Sequence, residues 1–410
     1  MSKMDDLLNL AGNQVQYLPM GEVGTFIRGN GLQKKDFTES GVGCIHYGQI
    51  YTYYGTYANK TKTFVSKELA SSLKQVKTGD IVIAVTSENI EDICKCVAWL
   101  GLETIVTGGH AIIFKHNENP KYIAYYLQTH AFFNQKKLYA RGAKVIDISK
   151  KDIEKILIPI PPLPIQEEIV KILDTFARLE AKLEAELKAD LETHQQLYSH
   201  CRDKLLSFDK NQVEYLPMGE VGTFIRGNGL QKKDFTESGV GCIHYGQIYT
   251  YYKTHANETK TFIWESLAKK LRKANTGDLV IATTSENDED VCKAVTWLGE
   301  KEIAVSGDAY IYKHSLNPKY VSYFFQTDEF QKQKRPYITG TKVRRVSGDS
   351  ISKIKIPIPS PEEQERIVTT IDTFDALVNN ISGSLLAETK ARRQQYEYYR
   401  NKLLTFKETI

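Results

Sequence analysis

Between residues 165 and 208, apolar side chains recur at steps of four and three: Ile165, Ile169, Ile172, Phe176, Leu179 and Leu183. That spacing predicts a helix with a coiled-coil seam. Leu187 and Leu191 continue at steps of four, so the seam drifts around the helix. Arg178, Glu180, Lys182, Glu184, Glu186, Lys188, Asp190 and Glu192 form a mixed-charge solvated face. The run holds no Gly or Pro, and at ~1.5 Å per residue it extends roughly 65 Å. Such a helix is longer than a compact domain uses and reads as a spacer. Before it stands Ile158-Pro159-Ile160-Pro161-Pro162-Leu163-Pro164, which the prolines make a stiff extended lead-in.

The whole pattern returns 198 residues later without insertion or deletion, from Asn13 and Asn211 to Phe208 and Phe406. Residues 17–54 and 215–252 are identical. The second lead-in is Ile356-Pro357-Ile358-Pro359, followed by Gln364, Ile367, Ile371, Phe374, Val378, Ile381 and Leu385. The chain is therefore two copies of one unit, each a globular part followed by a long helix. Leu7-Leu8-Asn9-Leu10 stands 198 residues before Leu205-Leu206-Ser207-Phe208, as if the chain began with the last turns of that helix. A closed pair of repeats cut open at that point gives this order. The divisions are a helix fragment over 1–12, globular parts over 13–157 and 211–355, and helical spacers over 158–210 and 356–410.

Within each globular part the pattern is mixed and mostly strand-like. Residues 42–54 are rich in β-branched and aromatic side chains. Residues 81–85, 97–100 and 111–114 are short apolar runs after turn signals, and 120–135 has helical spacing. These features predict an α/β globule with a curved, mainly antiparallel sheet. The fold class is α+β: two such globules separated by two long antiparallel coiled-coil helices in a pseudo-two-fold, circular repeat.

Composition adds limits. Hydrophobic content of 41% and charged content of 25% are ordinary for a globular protein of 410 residues. No apolar run approaches the ~18 residues a membrane helix needs, and the N-terminus lacks the pattern of a signal peptide, so a cytoplasmic protein is expected. The cysteines Cys44, Cys94, Cys96, Cys201, Cys242 and Cys292 show no zinc spacing and read as reduced thiols. A net charge of +4 permits a nucleic-acid partner without demanding one. There is no phosphate-cradling loop for a nucleotide. Gly29-Asn30-Gly31 lacks the downstream glycine of a dinucleotide fingerprint. Asn119-Pro120-Lys121-Tyr122 departs from an adenine-methyltransferase Asn-Pro-Pro-Tyr at its third position and reads as a helix start. No metal site and no catalytic residue is expected. His110 becomes Asp308 in the second copy, which makes it a poor shared base.

Several side chains suit DNA. Arg28, Asn30, Gln33, Lys34 and Lys35 sit on a glycine-punctuated loop, repeated as Arg226, Asn228, Gln231, Lys232 and Lys233. Arg can bond guanine and Asn or Gln adenine in bidentate fashion, and Lys suits phosphate. His46, Tyr47 and Gln49, with copies His244, Tyr245 and Gln247, add polar and aromatic tips. Lys144 and Lys342 keep their place on a second loop, whereas Arg141 becomes Thr339. The copies also differ at Gly55/Lys253, Tyr57/His255, Ile90/Asp288 and Asp147/Arg345.

The run Ile160-Pro161-Pro162-Leu163-Pro164-Ile165-Gln166-Glu167-Glu168-Ile169-Val170, its copy from Ile358 to Val368, and Gly79-Asp80-Ile81 with Gly277-Asp278-Leu279 resemble the specificity subunits of Type I restriction–modification systems. The resemblance covers essentially the whole chain. It implies that the globular parts are target recognition domains, each reading half of a bipartite double-stranded DNA site. It implies that the helices set the spacer and dock two modification (methyltransferase) subunits, with restriction subunits carrying translocation and cleavage. Methyl donor, ATP and magnesium would belong to those partners, and this chain would be non-catalytic. Identical segments in both units imply similar, inverted half-sites. The alternatives are an enzyme, a nuclease or DNA methyltransferase built on Glu88, Asp92 and their copies Glu286 and Asp290, and a coiled-coil scaffold with no DNA role.

Overall fold

The computed structural model describes residues 15–406; the helix fragment expected over 1–12 lies outside them. Two compact units emerge. One comprises the chain up to Glu186 together with Leu386 onward, and the other comprises Leu187–Leu385. Each takes part of both long helices.

In the first unit a five-stranded sheet runs in the order Gly24–Arg28, Ala111–His116, Ile81–Ala84, Cys96–Trp99 and Tyr57–Ala58. All its neighbours are antiparallel except the last pair. A four-stranded sheet has the order Thr63–Val65, Val42–Ile45, Ile105–Thr107 and Lys74–Val76, with its central pair parallel. The second unit repeats both orders. Ile81–Ala84 is buried on both faces because its side chains alternate between two cores. Ile81 and Ile83 join Tyr122, Tyr125 and Tyr126, whereas Val82 and Ala84 join Ile45, Ile50 and Trp99. The mixed, mainly antiparallel globule is as the sequence predicts.

Two local expectations are corrected. Residues 42–54 do not remain extended, since a strand over Val42–Ile45 gives way to a helix over Tyr47–Thr52. His46 Nδ1 accepts the Gly48 N–H at 3.1 Å, and Gln49 Oε1 accepts the His46 N–H at 3.0 Å. This reciprocal cap outweighs the β propensity of the tyrosines. The helical run over 120–135 is two helices, Pro120–Tyr126 and His130–Tyr139, because Thr129 caps the second through the Phe132 N–H. Asn119 and Pro120 do start a helix, with Asn119 Oδ1 accepting from Lys121 and Tyr122. All six cysteines are free thiols, and every one except Cys201 is buried.

The proline lead-in is an edge strand. Leu157–Ile160 pairs antiparallel with Gln16–Pro19, and the Tyr122 hydroxyl donates to the Pro159 carbonyl at 2.9 Å. Pro suits an edge because it has no N–H to leave unpaired. The long helices are Leu163–Leu205 and Pro361–Leu403, 43 residues each. Only the first part of the expected seam is buried. Ile165 and Ile169 enter the core of the first unit, joined by Leu173 from outside that seam, whereas Leu179 is 55% exposed. In the same unit Leu403, Leu404 and Phe406, from the end of the second long helix and just past it, enter that core as well. Phe176 stacks on Tyr399, with ring centroids 5.7 Å apart. The two helix segments of this unit therefore run antiparallel. Glu180, near Arg393 and Glu397 on the opposite segment, has its carboxyl pKa raised chiefly by burial.

Candidate nucleic-acid interface

Arg28 ends the strand Gly24–Arg28 and projects into solvent. Its Nε donates to the Gly109 carbonyl at 3.3 Å, and Arg226 donates to Gly307 at 2.9 Å. One edge of each guanidinium is thus pinned while its terminal nitrogens stay available. The turn after Arg28 needs glycine, because a Cβ on Gly29 would lie 2.2 Å from the Gly108 carbonyl oxygen. Gln33, Lys34 and Lys35 follow it, all exposed, around a short 3₁₀ turn at Lys34–Asp36. The second copy places Gln231, Lys232 and Lys233 the same way.

Three of the sequence-selected side chains in each unit are occupied by the fold. Asn30 Nδ2 donates to Ser72 O and its Oδ1 accepts from Lys74 N, so it staples the loop to the end of the helix Lys67–Ser72 and the strand that follows it. Asn228 does the same with Lys270 and Arg272. Gln49 spends its amide on His46 and on Thr63 Oγ1, and Gln247 on His244 and Thr261. His46 and His244 are buried caps. Burial, then the charges of Lys34 and His110, hold His46 below the usual imidazole range. Burial and Lys232 do so for His244, with Asp308 opposing. These residues shape the surface rather than offer free polar atoms to it. Tyr51 and Tyr54 are likewise committed, to Thr86 O and Lys62 N.

Tyr47 is half-buried between His46 and His110, with ring centroids 4.5 and 4.8 Å away. His110, a poor shared base, links the parts. Its Nδ1 lies 3.1 Å from Thr86 Oγ1. Thr86–Ser87 pairs with Ile146–Asp147, the return strand of a ribbon whose other side carries Arg141. Gly142 turns that ribbon at φ +117, where a Cβ would meet Val145 O at 2.0 Å. Lys144 stands exposed at its tip, as does Lys342 in the second unit. Arg28, Lys34, Tyr47, His110 and the Lys144 ribbon therefore belong to one contiguous face, basic with an aromatic centre. Comparing the two copies is the signal that finds His110 and the ribbon, since both change between them.

Of the acidic positions kept in both units, Asp92 and Asp290 serve turns. Asp92 accepts from Asn89 Nδ2 at 2.8 Å and pairs with Lys95 at 2.6 Å. The Lys95 hydrogen bond, then that of Asn89, lowers its carboxyl pKa. Asp290 accepts from Asn287 in the same way. Among the described residues no group of three His, Cys, Asp or Glu side chains is gathered as a metal ion requires. Nor is any described helix long and apolar enough to cross a membrane.

Comparison with known proteins gives a consistent result. The family model described as Type I restriction modification DNA specificity domain matches twice, over residues 13–193 and 210–390. The chain is 27% identical to the Escherichia coli EcoR124I/EcoR124II specificity subunit, over 99% of this chain and 97% of the relative. A solved structure titled for the complex assembly and conformational transition of the type I R-M system superposes with a TM-score of 0.72 at 15% identity, covering 95% of this chain and 97% of that one. The crystal structure of the HsdS subunit from Thermoanaerobacter tengcongensis gives 0.52 at 15% identity, covering 95% and 96%.

Proposed function

The chain belongs to the Type I restriction–modification DNA specificity family, and from that premise we propose that each unit reads one half of a two-part DNA site for partner subunits that carry the chemistry. The observation that carries this is the duplicated face. Arg28 and Arg226 are pinned identically, Lys34 and Lys232 stand exposed beside them, and each unit feeds a 43-residue helix. Lysines and the ribbon tips hold phosphates, and the arginines reach base edges. The long helices set the distance between half-sites and present the docking surface for two modification subunits, with restriction subunits joining them. Methyl donor, ATP and magnesium act on those partners in the cytoplasm, and this chain has no turnover of its own. The acidic turns support that reading, because Asp92 is spent on Asn89 and Lys95, and Asp290 on Asn287.

The test uses purified chain and duplex DNA. Binding should weaken steeply as salt rises, since phosphate contacts release counterions. Addition of methyl donor should yield no methylated base until modification subunits are supplied. Methylation or cleavage by the chain alone would establish the enzyme alternative instead.

A further inference from the structure

The arginine turns and the aromatic helices are identical in the two units, so they cannot make the units read different bases. Beside them, one place changes in a concerted way. In the first unit His110 contacts Thr86, Thr86 is registered opposite Asp147, and Asp147 faces Arg141 across the ribbon. In the second unit the same four positions hold Asp308, Thr284, Arg345 and Thr339, with Thr284 registered opposite Arg345 and Arg345 facing Thr339. The acid has moved from the ribbon to the turn, and a cation has taken its place on the ribbon.

The neighbours reinforce the exchange. Asp147 lies opposite a cation, Arg141. Arg345 is exposed and faces only the neutral Thr339, and its guanidinium makes no hydrogen bond or ion pair among the described residues. Its neighbour Arg344 is held back by Asp288, at 2.7 Å, and by the Gly340 carbonyl. Asp288 replaces Ile90 of the first unit, and Arg344 replaces Ile146. Successive ribbon residues point to opposite faces, so tying down Arg344 leaves Arg345 as the projecting arginine.

We propose that Asp147 in the first unit and Arg345 in the second are specificity-determining residues that make the two half-sites unequal at one base pair. This rests on the reading of each unit as a reader of half a site. A carboxylate only accepts hydrogen bonds and a guanidinium only donates them. Directed at the major-groove edge, Asp147 selects the amino group of cytosine and Arg345 selects the O6 and N7 acceptors of guanine. Behind them the first unit has the imidazole of His110 and the second the carboxylate of Asp308. Discrimination at that position should be on the order of ten- to a hundredfold.

The experiment maps methylated bases in DNA modified by the complete complex of this chain with modification subunits. Arg345→Asp should change the preferred base pair at one position of one half-site and leave the other half-site untouched. Asp147→Arg should convert the corresponding position of the other half-site toward guanine. Arg345→Gln and Asp147→Asn should relax the same positions by that ten- to hundredfold factor, and they carry the test if the charge reversals abolish methylation. An unchanged motif, or an equal loss of methylation at every sequence with all four variants, overturns the assignment and makes these residues backbone contacts or bystanders. If the unsubstituted complex yields no two-part motif, the reading of the units as half-site readers fails, and this assignment falls with it.

Discussion

The side-chain carbonyl of Gln166, in the first turn of the first long helix, accepts the backbone N–H of Asn119 at 2.9 Å. Its amide donates to Glu118 and to the Pro161 carbonyl. Gln364 repeats the contact with Asn317 at 2.8 Å. Both glutamines are buried, so the helix-entry motif is a lock between globule and helix. Gln166→Leu and Gln364→Leu strand these partners, and each should cost about 1–3 kcal/mol. Chemical denaturation should show that loss, and hydrogen exchange at Asn119 or Asn317 should accelerate in the altered unit only.

Lys136 and Lys334 are buried cations that each bond two backbone carbonyls, Glu91 and Ile93 in one unit and Glu289 and Val291 in the other. They close the turn in which Cys94 and Cys292 adopt positive φ. Lys136→Met removes the charge but leaves the carbonyls dry, and should destabilise its unit by roughly 2–5 kcal/mol. A melting curve that does not move would contradict this.

Burial holds the imidazoles of His116 and His314 down to about 4. An unfolded histidine titrates near ~6.5, so between these values the unfolded chain binds more protons. Stability therefore falls as pH drops from about 6.5 to about 4, by up to about 3 kcal/mol for each histidine. The double variant His116→Asn, His314→Asn should show a flatter melting temperature across that window.

The repeat, the strands over 81–84 and 111–116, and the Asn119 cap were legible because each is signalled by neighbouring residues. The helix over Tyr47–Thr52 was not, since its tyrosines favour strands and only the His46–Gln49 cap decides otherwise. Asn30 and Gln49 looked available because their partners Ser72, Lys74 and Thr63 lie well along the chain. The link from Arg28 through Gly109 and His110 to Thr86 is tertiary and has no local signature. Leu173 lies outside the four-and-three spacing, yet the helix turns a face of steps of four, Ile165, Ile169 and Leu173, into the globule.

Insertion of seven residues between Glu186 and Leu187, and seven more between Leu385 and Leu386, keeps the seam and leaves each unit's own helix segments intact. Each helix lengthens by ~10 Å, equivalent to about three base pairs at ~3.4 Å each. The spacer of the methylated motif should lengthen by about that amount. An unchanged spacer would show that the helices do not measure the site.

Base-resolution mapping of methylation in cells expressing this chain with modification subunits bears most directly on the central claim. The account predicts a two-part motif with a fixed spacer, whose half-sites are inverted and alike at the bases read by residues 17–54 and 215–252. Two unrelated half-sites, two in the same orientation, or one undivided motif would contradict it.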